Sequence, residues 1–260
     1  MLDRAMRNQR EVWMAAAACV LLAAPAGAAG RTLLAIGAHA GDMEVTSAAV
    51  LARHKRLGDR VVLLHLTLGE GGNPKLTPTA YGEQKRREAV EAARAIGAEV
   101  IFGPYRDGEL PNDEAARRYV AGVIRTVQPT HILTHWKNSI HRDHAATYAI
   151  VSDALLLAEL ESVVTGQAPW RGVRSVYYTE NWEDPEGFKP YVYVDTSEDL
   201  EAWRKCVTRY EFIRGGVSSF QYLDYYEALS RVRGAEAGKR HAVAFDVDEL
   251  SKKRVLDALP

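Results

Sequence analysis

Only two cysteines, Cys19 and Cys206, occur among the 260 residues. Two thiols cannot build a disulfide framework or a cysteine-based zinc site. Neither sign of charge dominates: 33 Lys and Arg face 34 Asp and Glu, for a formal net charge of -1. So balanced a chain has no global field to attract nucleic acid or an anionic membrane, and any recognition must be local. The G-x-x-x-x-G-K-S/T phosphate loop is missing. The turn after the first apolar run also lacks G-x-G-x-x-G, which argues against a dinucleotide-dependent oxidoreductase. No repeat or low-complexity linker divides the sequence, and one domain is expected.

The N-terminal apolar run, Val12 to Pro25, is too short for a comfortable membrane span. It follows Arg4, Arg7 and Arg10 and ends in Ala26-Gly27-Ala28. A basic stretch, a short apolar stretch and an A-x-A site form the pattern of a secretory signal peptide. Residues 1–28 are therefore expected to be removed, with residues 29–260 as the mature, secreted or periplasmic domain. Cys206 would then be a lone thiol, expected to pack in a helix rather than react.

Beyond this segment, strand and helix patterns alternate. Apolar runs at Thr32–Ala38, Arg60–Leu68, Val100–Phe102 and Thr130–Thr134 suit buried parallel strands. Helices are expected over Val45–Leu57, Glu83–Ile96, Asp113–Val127 and Asp143–Val164, the first two closed by Gly58 and Gly97. Gly69–Gly82 reads as a long loop, Val173–Thr179 and Tyr191–Asp195 as later strands, and Leu200–Arg214 and Tyr222–Arg233 as later helices. This order predicts an α/β fold, a Rossmann-like three-layer sandwich with a mostly parallel sheet.

Open α/β sheets place their sites beyond the carboxyl ends of the strands. The first strand runs into Ala38-His39-Ala40-Gly41-Asp42, and the fourth ends near His135 and is followed by His141-Arg142-Asp143-His144. Two histidine–carboxylate clusters thus fall on one sheet edge. Two histidines and one carboxylate with an open position form a normal catalytic zinc set, although imidazole and carboxylate also suit Fe2+ or manganese. Each member has a plainer reading. Asp143 can simply offset a helix dipole, His141 can lie on the surface, and His39 can be satisfied within a turn.

These segments resemble the LmbE/PIG-L deacetylases. AHAGDME at 38–44 is similar to that family's A-H-P-D-D-x-E, and HRDH at 141–144 to its H-x-D-H. LTLGEGGNP at 66–74 resembles T-x-G-E-x-G. Lys85 and Glu88, followed by AARAIG, resemble the R/K-x-x-E helix, and RVRGAEAGKRHAVAF at 231–245 resembles a late segment of bacterial amino-sugar deacetylases. The resemblance implies a divalent metal, preferably Zn2+, held by His39, Asp42 and His144. It implies that His141 stabilises the oxyanion and protonates the leaving amine, while Asp143 orients or charges that side. The implied substrate is an N-acyl amino sugar or its conjugate.

One departure matters. The family's first Asp, its general base, is Gly41 here, Ala40 replaces the usual Pro, and Val243 replaces a late Glu. Three outcomes follow: Asp143 or Glu44 acts as substitute base, bulk water assists at a reduced rate, or the protein binds metal and carbohydrate without turnover. Gly41→Asp is expected to restore a proton acceptor. Trp136 and Trp182, in loops at the site's edge, suit packing better than sugar stacking.

Overall fold

Leu33 and Ala35 of the first strand face one layer of the protein and Leu34 and Ile36 the other, all four buried. A strand covered on both faces reads as a continuous apolar run because its alternating side chains all meet protein. The same holds for Val61 and Leu63 against Val62 and Leu64 in the second strand. The computed structural model describes residues 30–253; the expected signal segment lies outside the described residues.

The described chain folds as β1 (Thr32–Gly37), α1 (Asp42–Arg56), β2 (Arg60–His65), α2 (Pro78–Ala95), β3 (Glu99–Phe102), α3 (Glu114–Val127), β4 (His131–Thr134), α4 (Arg142–Glu159), β5 (Ser175–Thr179), β6 (Val192–Asp195), α5 (Leu200–Val207), α6 (Tyr222–Glu236) and β7 (Ala242–Asp246). The seven strands form one sheet in the order β3-β2-β1-β4-β5-β7-β6. The first five are parallel, whereas β7 runs antiparallel to both β5 and β6. One face is covered by α1, α2, α5 and α6, and the other by α3 and α4. This is the expected three-layer α/β domain. Each large side chain buried in either layer contributes about 1.5–3 kcal/mol.

Several boundaries differ from expectation. α2 starts at Pro78 rather than Glu83, because the Thr77 side chain accepts from Ala80 N and Pro78 occupies the first turn. α1 starts at Asp42, directly after Gly41. α5 stops at Val207, where the Thr208 hydroxyl donates to the Arg204 carbonyl, and turns follow as far as Gly216. α4 ends at Glu159 instead of running to Val164. β7 falls within the late segment, where no strand is expected from the sequence. Cys206 is fully buried, as expected of a packing residue. Among the described residues no helix is long and apolar enough to cross a membrane.

Candidate active site

The strand order reverses between β1 and β4, which leave the sheet side by side with Ile36 opposite Thr134. Such a switch point opens a crevice at the carboxyl ends of the strands. The residues that follow meet there: Ala38 N lies 3.0 Å from His135 Nε2. From β1 the chain makes the His39–Gly41 turn and enters α1 at Asp42, with Asp42 N donating to the His39 carbonyl. From β4 it loops to His141, which caps α4 by accepting from Asp143 N on its Nδ1. His141, Asp143 and His144 therefore all sit at the first turn of α4.

His39, Asp42 and His144, expected as metal ligands, are brought together. Asp42 Oδ2 lies 3.2 Å from His39 Nδ1 and 3.5 Å from His144 Nε2. Donors each about 2.0–2.2 Å from one tetrahedral metal are separated by roughly this much. The wider cluster forms three overlapping sets of donor atoms, each within 4.8 Å: His39, His141 and His144; Asp42, His135 and His144; and His39, Asp107 and Asp143. The expected trio is thus shared between the first two sets through His144.

The opposite ring nitrogens both face carboxylates. His144 Nδ1 lies 3.2 Å from Asp184 Oδ1, while His39 Nε2 lies 3.1 Å from Asp107 Oδ1 and 3.4 Å from Asp143 Oδ2. Carboxylates behind both imidazoles fix ring orientation and leave one nitrogen of each for a cation, the usual support of metal-binding histidines. Two nitrogens and a carboxylate oxygen so backed fit a divalent ion such as Zn2+ or Fe2+.

The electrostatics match a place built for positive charge. Burial disfavours charge on His39, but Asp42, Asp107 and Asp143 outweigh it and hold its pKa well above the ordinary range. Burial likewise works against an ionised Asp42, yet His39, His144 and His135 hold its pKa well below the usual carboxylate range. His135, also buried, is raised to about 9 by Asp184 and Asp42. Its Nε2 faces both Ala38 N and Asp42 Oδ2, at 3.0 and 3.1 Å, and cannot accept from one while donating to the other. Acidic surroundings favour the donating form. His144, stacked on His135 with ring centroids 3.9 Å apart, is pushed down to about 4 by burial and by that neighbour. Glu183 is raised to about 7 by burial and by the charges of Asp42 and Asp184.

His141 stands beside the trio, its ring centroid 4.5 Å from that of His39 and 4.9 Å from that of His144. Because its Nδ1 accepts from the backbone, a neutral ring carries its hydrogen on Nε2. Burial and His39 lower its pKa, against the opposing pull of Asp42, Asp143 and Asp107.

Neither expected substitute base faces open space. Asp143 is fully buried, with Oδ2 accepting from Gly108 N at 2.7 Å. That oxygen is placed to orient His39, while Oδ1 makes no hydrogen bond among the described residues. Glu44 is also fully buried, 2.6 Å from the Tyr210 hydroxyl and 3.3 Å from His65 Nε2. Gly41 has φ +112°, and a Cβ there would lie 2.8 Å from Phe212 Cζ and 3.0 Å from Cε1. The simple restoration expected of Gly41→Asp therefore meets an aromatic ring. Lys85 lies on the same side, donating to the Ala40 carbonyl with its ammonium 4.1 Å from the centre of the Phe212 ring. Burial pushes it down to about 8. Trp136 packs on Tyr178 and Phe188, and Trp182 stacks on Phe220, both in structural roles.

Asp107, Glu183 and Asp184 escape the sequence reading. They arrive on loops after β3 and β5, and each lacks a motif of its own; the only signal is that Thr179–Pro190 is an irregular segment suited to a site's edge.

The profile described as "PIG-L: GlcNAc-PI de-N-acetylase" matches residues 34–155. The chain is 24% identical over 216 residues to 4-oxalmesaconate hydratase of Pseudomonas putida, covering 80% of this chain and 81% of that one. It is 29% identical over 182 residues to the 1D-myo-inositol 2-acetamido-2-deoxy-alpha-D-glucopyranoside deacetylase of Thermobispora bispora, covering 58% of this chain and 59% of that enzyme. Among solved structures it is similar to the conserved protein TT1542 from Thermus thermophilus, with a TM-score of 0.76 and 26% identity over 88% of this chain and 100% of that one. The matched segment contains His39, Asp42, His135, His141, Asp143 and His144, and it is over residues 34–155 that the chain matches the PIG-L (LmbE-like) family.

Proposed function

We propose that this protein is a metal-dependent hydrolase that removes an N-acyl group, acetyl in the simplest case, from an amino sugar or its conjugate. The observation that carries this reading is the convergence of His39 Nδ1, Asp42 Oδ2 and His144 Nε2, with His141 alongside. Zn2+ is the preferred ion for that donor set. When bound, such an ion activates water and polarises an acyl oxygen. The chain's own groups do the rest. Asp143 and Asp107 hold the His39 ring, and Asp184 holds that of His144. His141 offers Nε2–H as a hydrogen bond to the oxygen that gains charge, and the proton given up by the attacking water passes to the departing nitrogen. Zinc-loaded protein should release acetate and a free amine from N-acetylglucosamine or its glycosides. No release from any N-acyl amino sugar with a fully loaded site would overturn the proposal.

A second reading is favoured by Gly41 and by the hydratase relative, which spans more of the chain than the deacetylase. In it the same site adds water across the double bond of an unsaturated carboxylic acid. Loss of the conjugated acid's ultraviolet absorbance, without acetate release from sugars, would select this reading. Both reactions add water to a polarised trigonal carbon. The non-catalytic alternative gains no support, since both curated relatives are named as enzymes. Export with cleavage after Ala28 belongs to the same proposal, and N-terminal sequencing of the protein from its native source tests it.

A further inference from the structure

The turn after β5 carries two adjacent carboxylates to opposite sides of one imidazole. Asp184, fully buried, lies against Nδ1 of His144 at 3.2 Å. Glu183 Oε2 lies 3.8 Å from Nε2 of the same ring, the nitrogen turned towards Asp42. Asp184 has the place of a supporting partner. Glu183 faces whatever Nε2 binds.

The turn is held firmly. Glu183 N donates to Asn181 Oδ1, which also accepts from the Tyr226 hydroxyl, and Asp184 N donates to the Asn181 carbonyl. The Glu183 carbonyl accepts from Ile140 N in the loop that leads into α4. The backbone of Glu183 is thereby tied to the element that carries His144. Its carboxylate, by contrast, makes no hydrogen bond among the described residues, and only about a fifth of the side chain, 22%, is exposed. Asp42 and Asp184 crowd it with like charge, offset in part by His39 and His135. An unpartnered carboxylate in such company is stable where a cation joins the group.

Resting on the reading of a divalent metal at His39, Asp42 and His144, we propose that Glu183 is a further protein ligand to that metal. The 3.8 Å between Glu183 Oε2 and His144 Nε2 can be bridged by one ion about 2.0–2.2 Å from each. Gly41 withdraws a carboxylate from one side of the site, and Glu183 supplies one from another. The consequence is a site with two anionic ligands, more tightly holding than the trio alone.

Chelator competition with Zn2+ on the purified full chain tests this, with Co2+ absorption spectra as the second measurement. Glu183→Gln should weaken Zn2+ affinity about tenfold or more and change the intensity of the Co2+ bands. Glu183→Asp, which shortens the carboxylate but keeps it, should lose less. Glu186→Gln, on the exposed part of the same loop, should match the parent. Parent-like affinity and spectrum in Glu183→Gln, or an equal loss in Glu186→Gln, would overturn the assignment. If Glu183→Gln is unfolded by circular dichroism, Glu183→Asp decides, and parent-like affinity there with an unchanged Co2+ spectrum overturns it. A parent that binds no divalent ion would instead overturn the metal reading beneath it.

Discussion

The Phe212 ring fills the space that a side chain on Gly41 would enter, its Cζ 2.8 Å from the position of a Cβ. Gly41 directly precedes α1 and Phe212 lies in the turns after α5, so a distant part of the chain packs into the space beside residue 41. Gly41 also carries φ +112°, a conformation that costs other residues roughly 1–3 kcal/mol. Gly41→Asp alone should lower the melting temperature and leave turnover at or below the parent's. Gly41→Asp combined with Phe212→Ala removes the collision but not the backbone strain, and should be more active than either single variant. A Gly41→Asp protein that melts with the parent would show that the ring yields freely.

His141 caps α4 through Nδ1 while Nε2 remains free to donate. His141→Ala should keep one metal per chain and lose about 100-fold or more in kcat. Unchanged turnover would remove His141 from the chemistry. Loss of the metal would make it a ligand instead.

Asp184 braces both His135 and His144, at 3.4 and 3.2 Å. Asp184→Asn preserves shape but removes the charge that fixes both rings. Zn2+ affinity should fall about 10–100-fold, the usual effect of losing a partner behind a metal-binding histidine. Affinity equal to the parent's would contradict the bracing role.

Lys85 is held at about 8 in the folded protein, against 10.5 for a free side chain, chiefly by burial. Between these values the unfolded chain binds the extra proton, so this group adds stability as pH rises. A difference of 2–3 pH units corresponds to roughly 3 kcal/mol across the window. In urea unfolding, the stability gain of Lys85→Met over the parent should be largest below pH 8 and shrink towards pH 10.5. A difference independent of pH would place the ammonium in a better-solvated setting.

What is legible in the sequence is what contiguous residues write. Leu33–Ile36 and Val61–Leu64 declare buried strands because both faces meet helices. His39, Asp42, His141 and His144 declare a site because they follow two neighbouring strands. The supporting carboxylates were not legible. Asp107 and Asp184 reach His39 and His144 from loops, and neither carries a motif of its own. Phe212 was hidden for a related reason: read as part of one long helix, it would point elsewhere, but α5 ends at Val207 and the following turns bring it to Gly41. β7 escaped because a short strand such as Ala242–Asp246 gains its identity only from its antiparallel neighbours.

In the proposed site one divalent metal is held jointly by His39, Asp42 and His144, whose two ring nitrogens lie 3.2 and 3.5 Å from the Asp42 carboxylate. Elemental analysis of the purified parent, His39→Ala and His144→Ala tests it most directly. About one zinc or iron per chain is expected in the parent, with near-complete loss in both variants. Metal content unchanged in both variants would contradict it.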